Sequence, residues 1–256
     1  MMPLLLGPVA DRDKGITYES VEMFSLQYKT EYDSAKALLP EGFEPIDKPT
    51  ANIAFCFYDG VDYMAGRGYN IVFVTVAAKF TGNKDKLEGD YVLVIFENDA
   101  IPIITGREFL GAPKIFADIP SPEVVSDGTY MCQASLWGNH LFSAEFGSMK
   151  KQNIVIRKMG ERMLTARPWM TYKYIPSLEG VPDADYPVVN WSDTKMDELW
   201  LGDSGSISFG DPSVADIGVF KRVVDVMRSL PFLEVDQVSH WKGSQVLRSD
   251  RSRRIF

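Results

Sequence analysis

The chain has 256 residues, of which 45% are hydrophobic and 24% are charged, and its formal net charge is −8. This composition is typical of a water-soluble globular protein, and the length suits one large domain or two small ones. The negative charge argues against binding to nucleic acid, which requires a basic surface. Cys56 and Cys132 are expected to be reduced, mostly buried thiols, and two histidines are too few for a histidine-based metal site.

The start of the chain, residues 1–10, is apolar but short, and charged residues follow it directly. It lacks the basic segment that opens a secretory signal, so none is predicted. No apolar run approaches the ~20 residues of a membrane-spanning helix. We therefore expect a cytoplasmic protein with neither a membrane nor a nucleic acid as partner.

Patterns typical of strands dominate the chain. A polar loop over 81–90 joins two of the predicted strands at hairpin distance, and Gly138-Asn139 marks a second hairpin. The segment 91–96 is almost wholly apolar and is expected to be buried on both faces. The predicted strands cover residues 69–80, 91–96, 129–137, 141–146, 154–156, 169–175 and 207–209.

Helical patterns are few. Residues 33–39 have helical spacing and stop at Pro40, residues 158–165 predict a short helix, and 214–230 has a broad apolar face that ends at Pro231. Residues 179–193 are rich in Pro, Asp and Val and predict a long loop or an excursion at the edge of the fold. The fold class indicated is mainly β (α+β), an antiparallel barrel or sandwich with a few peripheral helices, in one domain over 1–256.

The segment 106–118, GREFLGAPKIFAD, is the most informative part of the chain because it places Lys114 after a proline and among apolar residues. Burial disfavours the charged form of an amine. A lysine in such surroundings is a candidate nucleophile that attacks a carbonyl and forms a Schiff base.

This segment resembles the lysine segment of the acetoacetate decarboxylase family, and other pieces match in the same order. They are Tyr28-Lys29-Thr30 with Leu38-Leu39-Pro40-Glu41, Gly89-Asp90-Tyr91, Arg167-Pro168, Lys173-Tyr174-Ile175-Pro176 and Val238-Ser239-His240. The likeness runs from about residue 18 to about residue 246, and the ordered set is far more specific than a lone Pro-Lys pair.

The resemblance implies a cone-like antiparallel β-barrel with the lysine inside it and a homo-oligomeric assembly. It also implies a lyase that forms a covalent imine on Lys114 with a small oxo acid and needs no metal or other cofactor. We therefore expect the core of the single domain to span about 18–246.

The departures from the family pattern concern the residues around the lysine. The family's decarboxylase has a second lysine where this chain has Ile115, so burial rather than a neighbouring cation must favour the free amine. Ungapped matching places the family's pocket arginine near Val21 and its two glutamates near Ala54 and Ile71. A slip of one residue would bring Glu22 to the first of these positions. The chain is thus expected to be a divergent member without the acidic pair.

Six residues form the candidate site. Lys114 is the nucleophile and Glu108 a proton-transfer group, with the alternative that Glu108 pairs with an arginine or with backbone amides. Arg107 either binds a substrate carboxylate or forms a structural ion pair. Glu97 follows a buried strand and either faces the interior or ends the strand in solvent. Tyr69 and Gln133 are further candidates for substrate binding.

The sequence is compatible with two reactions that follow imine formation on Lys114. A protonated imine accepts electrons from a breaking C–C bond, which gives decarboxylation of a β-oxo acid. It also stabilises an enamine that adds to an aldehyde, which gives aldolase-dehydratase chemistry on pyruvate or a related 2-oxo acid. The absence of acidic residues at Ala54 and Ile71 gives weight to the second reaction. A non-catalytic barrel that binds a small ligand is the alternative of another class.

Overall fold

The computed structural model describes residues 14–256, so the prediction for residues 1–10 lies outside the described residues. The fold is mainly β, as predicted. The strands are Ile16–Lys29 (β1), Phe43–Pro45 (β2), Thr50–Val61 (β3), Tyr69–Thr81 (β4), Lys86–Glu97 (β5), Lys114–Phe116 (β6), Glu123–Ser126 (β7), Thr129–Leu136 (β8), Asn139–Gly147 (β9), Lys150–Lys151 (β10), Trp169–Ile175 (β11), Ala184–Asn190 (β12), Ser192–Gly202 (β13), Ser204–Phe209 (β14), Glu234–Leu247 (β15) and Arg253–Arg254 (β16).

The helices are short and lie between the strands. They are Tyr32–Lys36 (α1), Ala100–Thr105 (α2), Ile154–Ala166 (α3), Val214–Ile217 (α4) and Lys221–Arg228 (α5), with 3-10 turns at Asp62–Met64, Gly218–Phe220 and Ser249–Arg251. A π-helical turn, Gly106–Leu110, continues directly from α2. None of the helices within residues 14–256 is long and apolar enough to cross a membrane.

The strands form two sheets. Twelve strands form the larger sheet in the order β10-β13-β15-β1-β3-β4-β5-β11-β12-β16, with β2 added beside β4 and β6 beside β5. The smaller sheet has the order β14-β9-β8-β7. Nearly all pairings are antiparallel, but β5 is parallel to both β6 and β11. Over the described residues the larger sheet is open, ending in the two-residue strands β10 and β16, so the predicted cone-like barrel is not confirmed.

Alternation along the long strands gives the larger sheet two different buried faces. One face packs against the smaller sheet, where Phe24 and Phe55 meet Phe142 and Phe146. The other face carries a second apolar cluster that includes Tyr18, Cys56, Ile71, Ile95 and Trp241. The lysine segment lies on this second face.

Three local predictions were wrong. Residues 154–156 open helix α3, because the Asn153 side chain accepts hydrogen bonds from the amides of Val155 and Ile156 at 2.9 and 3.1 Å. Residues 179–193 are not one loop but contain β12 and the start of β13. The predicted helix 214–230 is broken at Gly218, whose φ of 56° and ψ of −134° suit only glycine.

An ion-pair cluster fastens β1 to β15 on the face opposite the lysine segment. Glu22 Oε1 lies 2.8 Å from His240 Nε2 and 3.0 Å from Lys242 Nζ. The His240 ring is buried and stacks between Phe24 and Trp200, with ring centroids 4.0 and 4.5 Å away. Burial raises the pKa of Glu22, but hydrogen bonds from His240 and Lys242 outweigh it and hold the pKa below its usual value.

Replacing Glu22 with Gln is expected to lower the free energy of unfolding at pH 7 by about 1–2 kcal/mol, because a hydrogen bond to a charged group is lost. Since the folded-state pKa of Glu22 is lowered, its contribution is present above the unfolded-state value and disappears as the pH falls through the folded-state value. Urea unfolding at pH 7 and at pH 3 measures this difference. The exposed Glu41→Gln serves as control, and an effect of equal size at both pH values would contradict the electrostatic account.

Candidate active site

Lys114 opens the short strand β6 and lies beside β5. Parallel pairing sets Lys114 opposite Ile95, and the amide of Ile95 donates to the carbonyl of Pro113 at 3.0 Å. The residues of β6 alternate, so Lys114 shares a face with the apolar cluster around Ile95 while Ile115 packs on the opposite face. Lys114 is only 8% exposed, as its apolar sequence neighbours predicted.

The helical segment formed by α2 and the π turn covers the lysine. Lys114 Nζ donates a hydrogen bond to the carbonyl of Pro102 at 3.1 Å. Gly106 lies directly against the lysine side chain: a Cβ at this position would be 2.3 Å from Cε, 2.4 Å from Cδ and 2.8 Å from Nζ of Lys114. Gly106 therefore leaves the space through which the lysine side chain runs.

Glu97, the last residue of β5, is the charged partner of the lysine. Glu97 pairs with Ile71 on one side and with Phe116 on the other, which sets its side chain on the same face as Lys114. The side chain is fully buried, and Oε1 lies 2.5 Å from Lys114 Nζ. Neither carboxylate oxygen has a hydrogen bond of normal geometry, so the contact is an ion pair within hydrogen-bond distance rather than an aligned hydrogen bond.

The electrostatics of Glu97 follow from this burial. Burial removes the Glu97 carboxylate from solvent and raises its pKa to about 7. The Lys114 ammonium opposes this rise, and the negative charge of Asp99 adds to it. A carboxyl with a pKa near 7 holds and releases protons at physiological pH, which is the property required of a general acid or base.

A cavity of about 40 Å³ lies beside Lys114. Among the described residues that line it, Lys114 is the only cation and there is no carboxylate. The lining residues are Tyr18, Tyr58, Tyr69, Ile71, Phe73, Ile95, Leu110, Lys114, Trp169, Ser192, Gln245 and Leu247. Within residues 14–256, no group of three or more His, Cys, Asp or Glu side chains is placed to hold a metal ion.

Three tyrosines from β1, β3 and β4 form one wall of the cavity. The ring centroids of Tyr18 and Tyr58 are 4.4 Å apart, and those of Tyr58 and Tyr69 are 5.2 Å apart. The hydroxyls of Tyr18 and Tyr69 are 3.2 Å apart. Burial raises the pKa of all three phenols well above the usual value, so they remain protonated at neutral pH and can donate hydrogen bonds.

A polar pair from β13 and β15 lies at another part of the cavity, where Gln245 forms the wall. Gln245 Nε2 donates to Thr194 Oγ1 at 3.0 Å, and both side chains are buried. Ser192 also lines the cavity. These groups are neutral, so the cavity offers hydrogen bonds but no second fixed charge.

The structure brings three of the six candidate residues together. Tyr69 and Lys114 line the cavity, and Glu97 contacts the lysine. Arg107 and Glu108 belong to the π turn rather than to an extended segment. The exposed Arg107 donates from its guanidinium to the backbone carbonyl of Lys114 at 3.0 Å, so it supports the lysine backbone instead of facing the cavity.

The remaining candidates lie away from the cavity lining. Glu108 is half-buried, and its backbone carbonyl accepts a hydrogen bond from Lys173 Nζ at 2.5 Å. Gln133 is on β8 of the smaller sheet and donates to Glu123 Oε1 at 3.3 Å. Its neighbours Cys132 and Ala134 point into the core, so strand alternation turns Gln133 away from it. The structure thus does not support the placement of Gln133 at the site.

The positions where the family pattern was expected to be altered are apolar in the structure. Val21 and Ala54 are buried, and Ile71 lines the cavity. Glu22 lies on the opposite face with His240, so a slip of one residue does not return a charged group to the site. The residue cross-strand from Ile71 is Glu97, whose carboxylate contacts Lys114.

Several lining residues were missed by sequence reasoning. Tyr18, Tyr58, Trp169, Ser192 and Gln245 come from five different strands, and only the pairing of those strands brings them together. The sequence signal that could have identified Tyr58 is the alternation of side chains along β3, which sets Ala54, Cys56 and Tyr58 on one face.

We expect Gly106→Ala to displace the Lys114 side chain, because the new Cβ would overlap Cδ and Cε. Imine formation with pyruvate, trapped with borohydride, should slow by at least about tenfold, which corresponds to roughly 1.4 kcal/mol of lost positioning. Gly160→Ala in α3 is the matched control, since its Cβ would meet its nearest neighbour at 3.4 Å. Equal trapping rates in the two variants, with circular dichroism unchanged, would contradict the proposed role of Gly106.

Comparison with known proteins agrees with this architecture. The sequence model of the family "Acetoacetate decarboxylase (ADC)" matches residues 2–248. Acetoacetate decarboxylase 1 of Bradyrhizobium diazoefficiens is 24% identical over 235 residues, which cover 88% of this chain and 82% of that protein.

Two solved structures extend the comparison to the fold. A structure of an acetoacetate decarboxylase superposes with a TM-score of 0.79 at 19% identity, covering 100% of this chain and 94% of the other. The enduracididine biosynthesis enzyme MppR, complexed with the condensation product of pyruvate and imidazole 4-carboxaldehyde, gives a TM-score of 0.69 at 19% identity, covering 94% of this chain and 89% of the other. Because the family match spans nearly the whole chain, this protein belongs to the acetoacetate decarboxylase family.

Proposed function

We propose that the protein is a Schiff-base lyase that acts on a small oxo acid, with Lys114 as the nucleophile and Glu97 as the proton-transfer group. The observation that carries this proposal is the fully buried Glu97 carboxylate, 2.5 Å from the Nζ of a buried lysine at a cavity. No external cofactor is needed, because the protonated imine on the lysine serves as the electron sink.

The ion pair supplies the reactive amine. Moving one proton from Lys114 Nζ to Glu97 converts two charged groups into two neutral ones, and burial favours that direction. The raised pKa of Glu97 makes its carboxyl a suitable acceptor for this proton. Glu97 then gives this proton to the carbonyl oxygen as Nζ attacks. A second proton from the nitrogen lets the oxygen leave as water, and the protonated imine forms.

The cavity favours decarboxylation of a small β-oxo acid. About 40 Å³ of space corresponds to roughly three water positions, which favours a reaction of one small oxo acid over one that must also hold an aldehyde. Loss of the carboxylate as carbon dioxide leaves an enamine. Glu97, which has taken up one further proton from solvent, protonates the enamine carbon, and water hydrolyses the resulting imine to release the ketone. Tyr69 and the neighbouring tyrosines donate hydrogen bonds to the substrate oxygens.

A second reaction is favoured by the same tyrosines. In an aldol addition of a pyruvate enamine to an aldehyde, the aldehyde oxygen becomes an alkoxide. Protonated phenols stabilise that developing charge. The solved MppR complex holds a condensation product of this kind in a related fold. Loss of water then gives a conjugated product, so an aldolase-dehydratase is the alternative reaction at this site.

The proposal is tested by trapping the covalent intermediate. After incubation with acetoacetate or pyruvate and reduction with borohydride, peptide mass spectrometry should find the added mass on Lys114, and Lys114→Ala should abolish it. The exposed Lys86→Ala is the control. No adduct with either oxo acid would contradict the proposed enzymatic activity and would favour a protein that binds its ligand without catalysis.

The two lyase reactions are separated by their products. Acetoacetate should release carbon dioxide at a rate that falls by about 100-fold or more in Glu97→Gln, the usual size of a lost general acid–base contribution. The control is Glu88→Gln, an exposed carboxylate on the same strand. A conjugated product from pyruvate and an aromatic aldehyde, without carbon dioxide from acetoacetate, would identify the aldolase-dehydratase instead.

A further inference from the structure

The charge balance of the cavity sets a condition on the substrate. In the free protein the Lys114 ammonium and the Glu97 carboxylate neutralise each other, and both groups are buried. An oxo acid adds one negative charge. Among the described lining residues Lys114 is the only cation, so a bound carboxylate would leave one buried charge without a partner. Such a charge costs several kcal/mol.

The other groups around Glu97 cannot absorb this charge. Arg107 is turned to the carbonyl of Lys114 and is exposed, and Asp99 caps α2 through the amide of Ile101. The neighbouring titratable groups are neutral at physiological pH, because burial raises the pKa of each of them. These groups come from β1, β3, the 3-10 turn Asp62–Met64 and β4. They are Tyr18, Cys56, Tyr58, Tyr63 and Tyr69.

We infer that the cavity binds its substrate as a monoanion together with one proton, which Glu97 takes up as the substrate carboxylate replaces it as the counter-ion of the Lys114 nitrogen. This inference rests on the proposed function. It names the substrate class as small monocarboxylate oxo acids, because the site can neutralise one added negative charge through one proton.

The proton taken up also balances the decarboxylation. Imine formation joins Nζ to the carbonyl carbon and releases water, leaving a protonated imine, the substrate carboxylate and a protonated Glu97. Loss of carbon dioxide moves the C–C electron pair into the imine and gives a neutral enamine. The Glu97 proton then passes to the enamine carbon, and water hydrolyses the resulting imine to release the ketone and the Lys114 ammonium. Each turnover consumes one proton.

Calorimetry of pyruvate binding in two buffers of different ionisation enthalpy counts the protons. With a carboxyl that titrates near pH 7, uptake should be about 0.9 proton per pyruvate at pH 8 and about 0.1 at pH 6. The affinity for pyruvate should fall by about tenfold per pH unit above pH 8. Hydroxyacetone, a neutral ketone, should bind without proton uptake.

The variant Glu97→Gln should bind pyruvate without proton uptake and with little dependence on pH, while Glu88→Gln should behave as the wild type. Zero uptake by the wild type at pH 8, with borohydride still labelling Lys114, would overturn this inference and leave the lyase intact. Absence of any label would instead contradict the proposed function itself. The number of protons taken up by the wild type is measured without any variant, so it tests the inference even if Glu97→Gln fails to fold.

Discussion

The site depends on one buried ion pair, between Glu97 at the end of β5 and Lys114 at the start of β6. Taking two charges out of water is costly, and an apolar pair of similar volume would often stabilise a fold equally well or better. The same burial moves Glu97 into the pH range where it can exchange protons with the lysine. The arrangement that is unfavourable for stability is therefore the one on which the proposed covalent chemistry of the amine depends.

The rest of the fold serves to hold this pair at a cavity. The larger sheet buries both of its faces, one against the smaller sheet and one around the lysine segment. Parallel pairing of β5 with β6 fixes the register of the two charged residues, and Gly106 leaves space for the lysine side chain beneath the α2 segment. The structure buries Lys114 beside the cavity, and the family match spans the lysine segment. The carboxylate that contacts the lysine is Glu97 on β5, and its cross-strand neighbour on β4 is the cavity residue Ile71.

Much of the fold was predictable from short-range pattern. The strand over 69–80 and the hairpin near Gly138 follow from alternation and turn chemistry, and both are present. Strand β12 was missed because Asp185 and Pro187 hide its pattern. Helix α3 was misassigned at its start, since the β-branched run 154–156 outweighed the cap at Asn153. The burial of Lys114 followed from its neighbours, but the cavity residues come from separate strands and could be assembled only by long-range pairing.

Burial beside Lys114 is expected to give Glu97 a carboxyl that titrates near neutrality. Carbon-13 NMR of side-chain carboxyl groups measures this directly in the ligand-free protein, and the Glu97 signal is assigned by its loss in Glu97→Gln. We expect a titration midpoint near pH 7. A midpoint at or below 4.5, the value of an unperturbed glutamate, would contradict it, because Glu97 could then neither accept the lysine proton nor return one to the substrate.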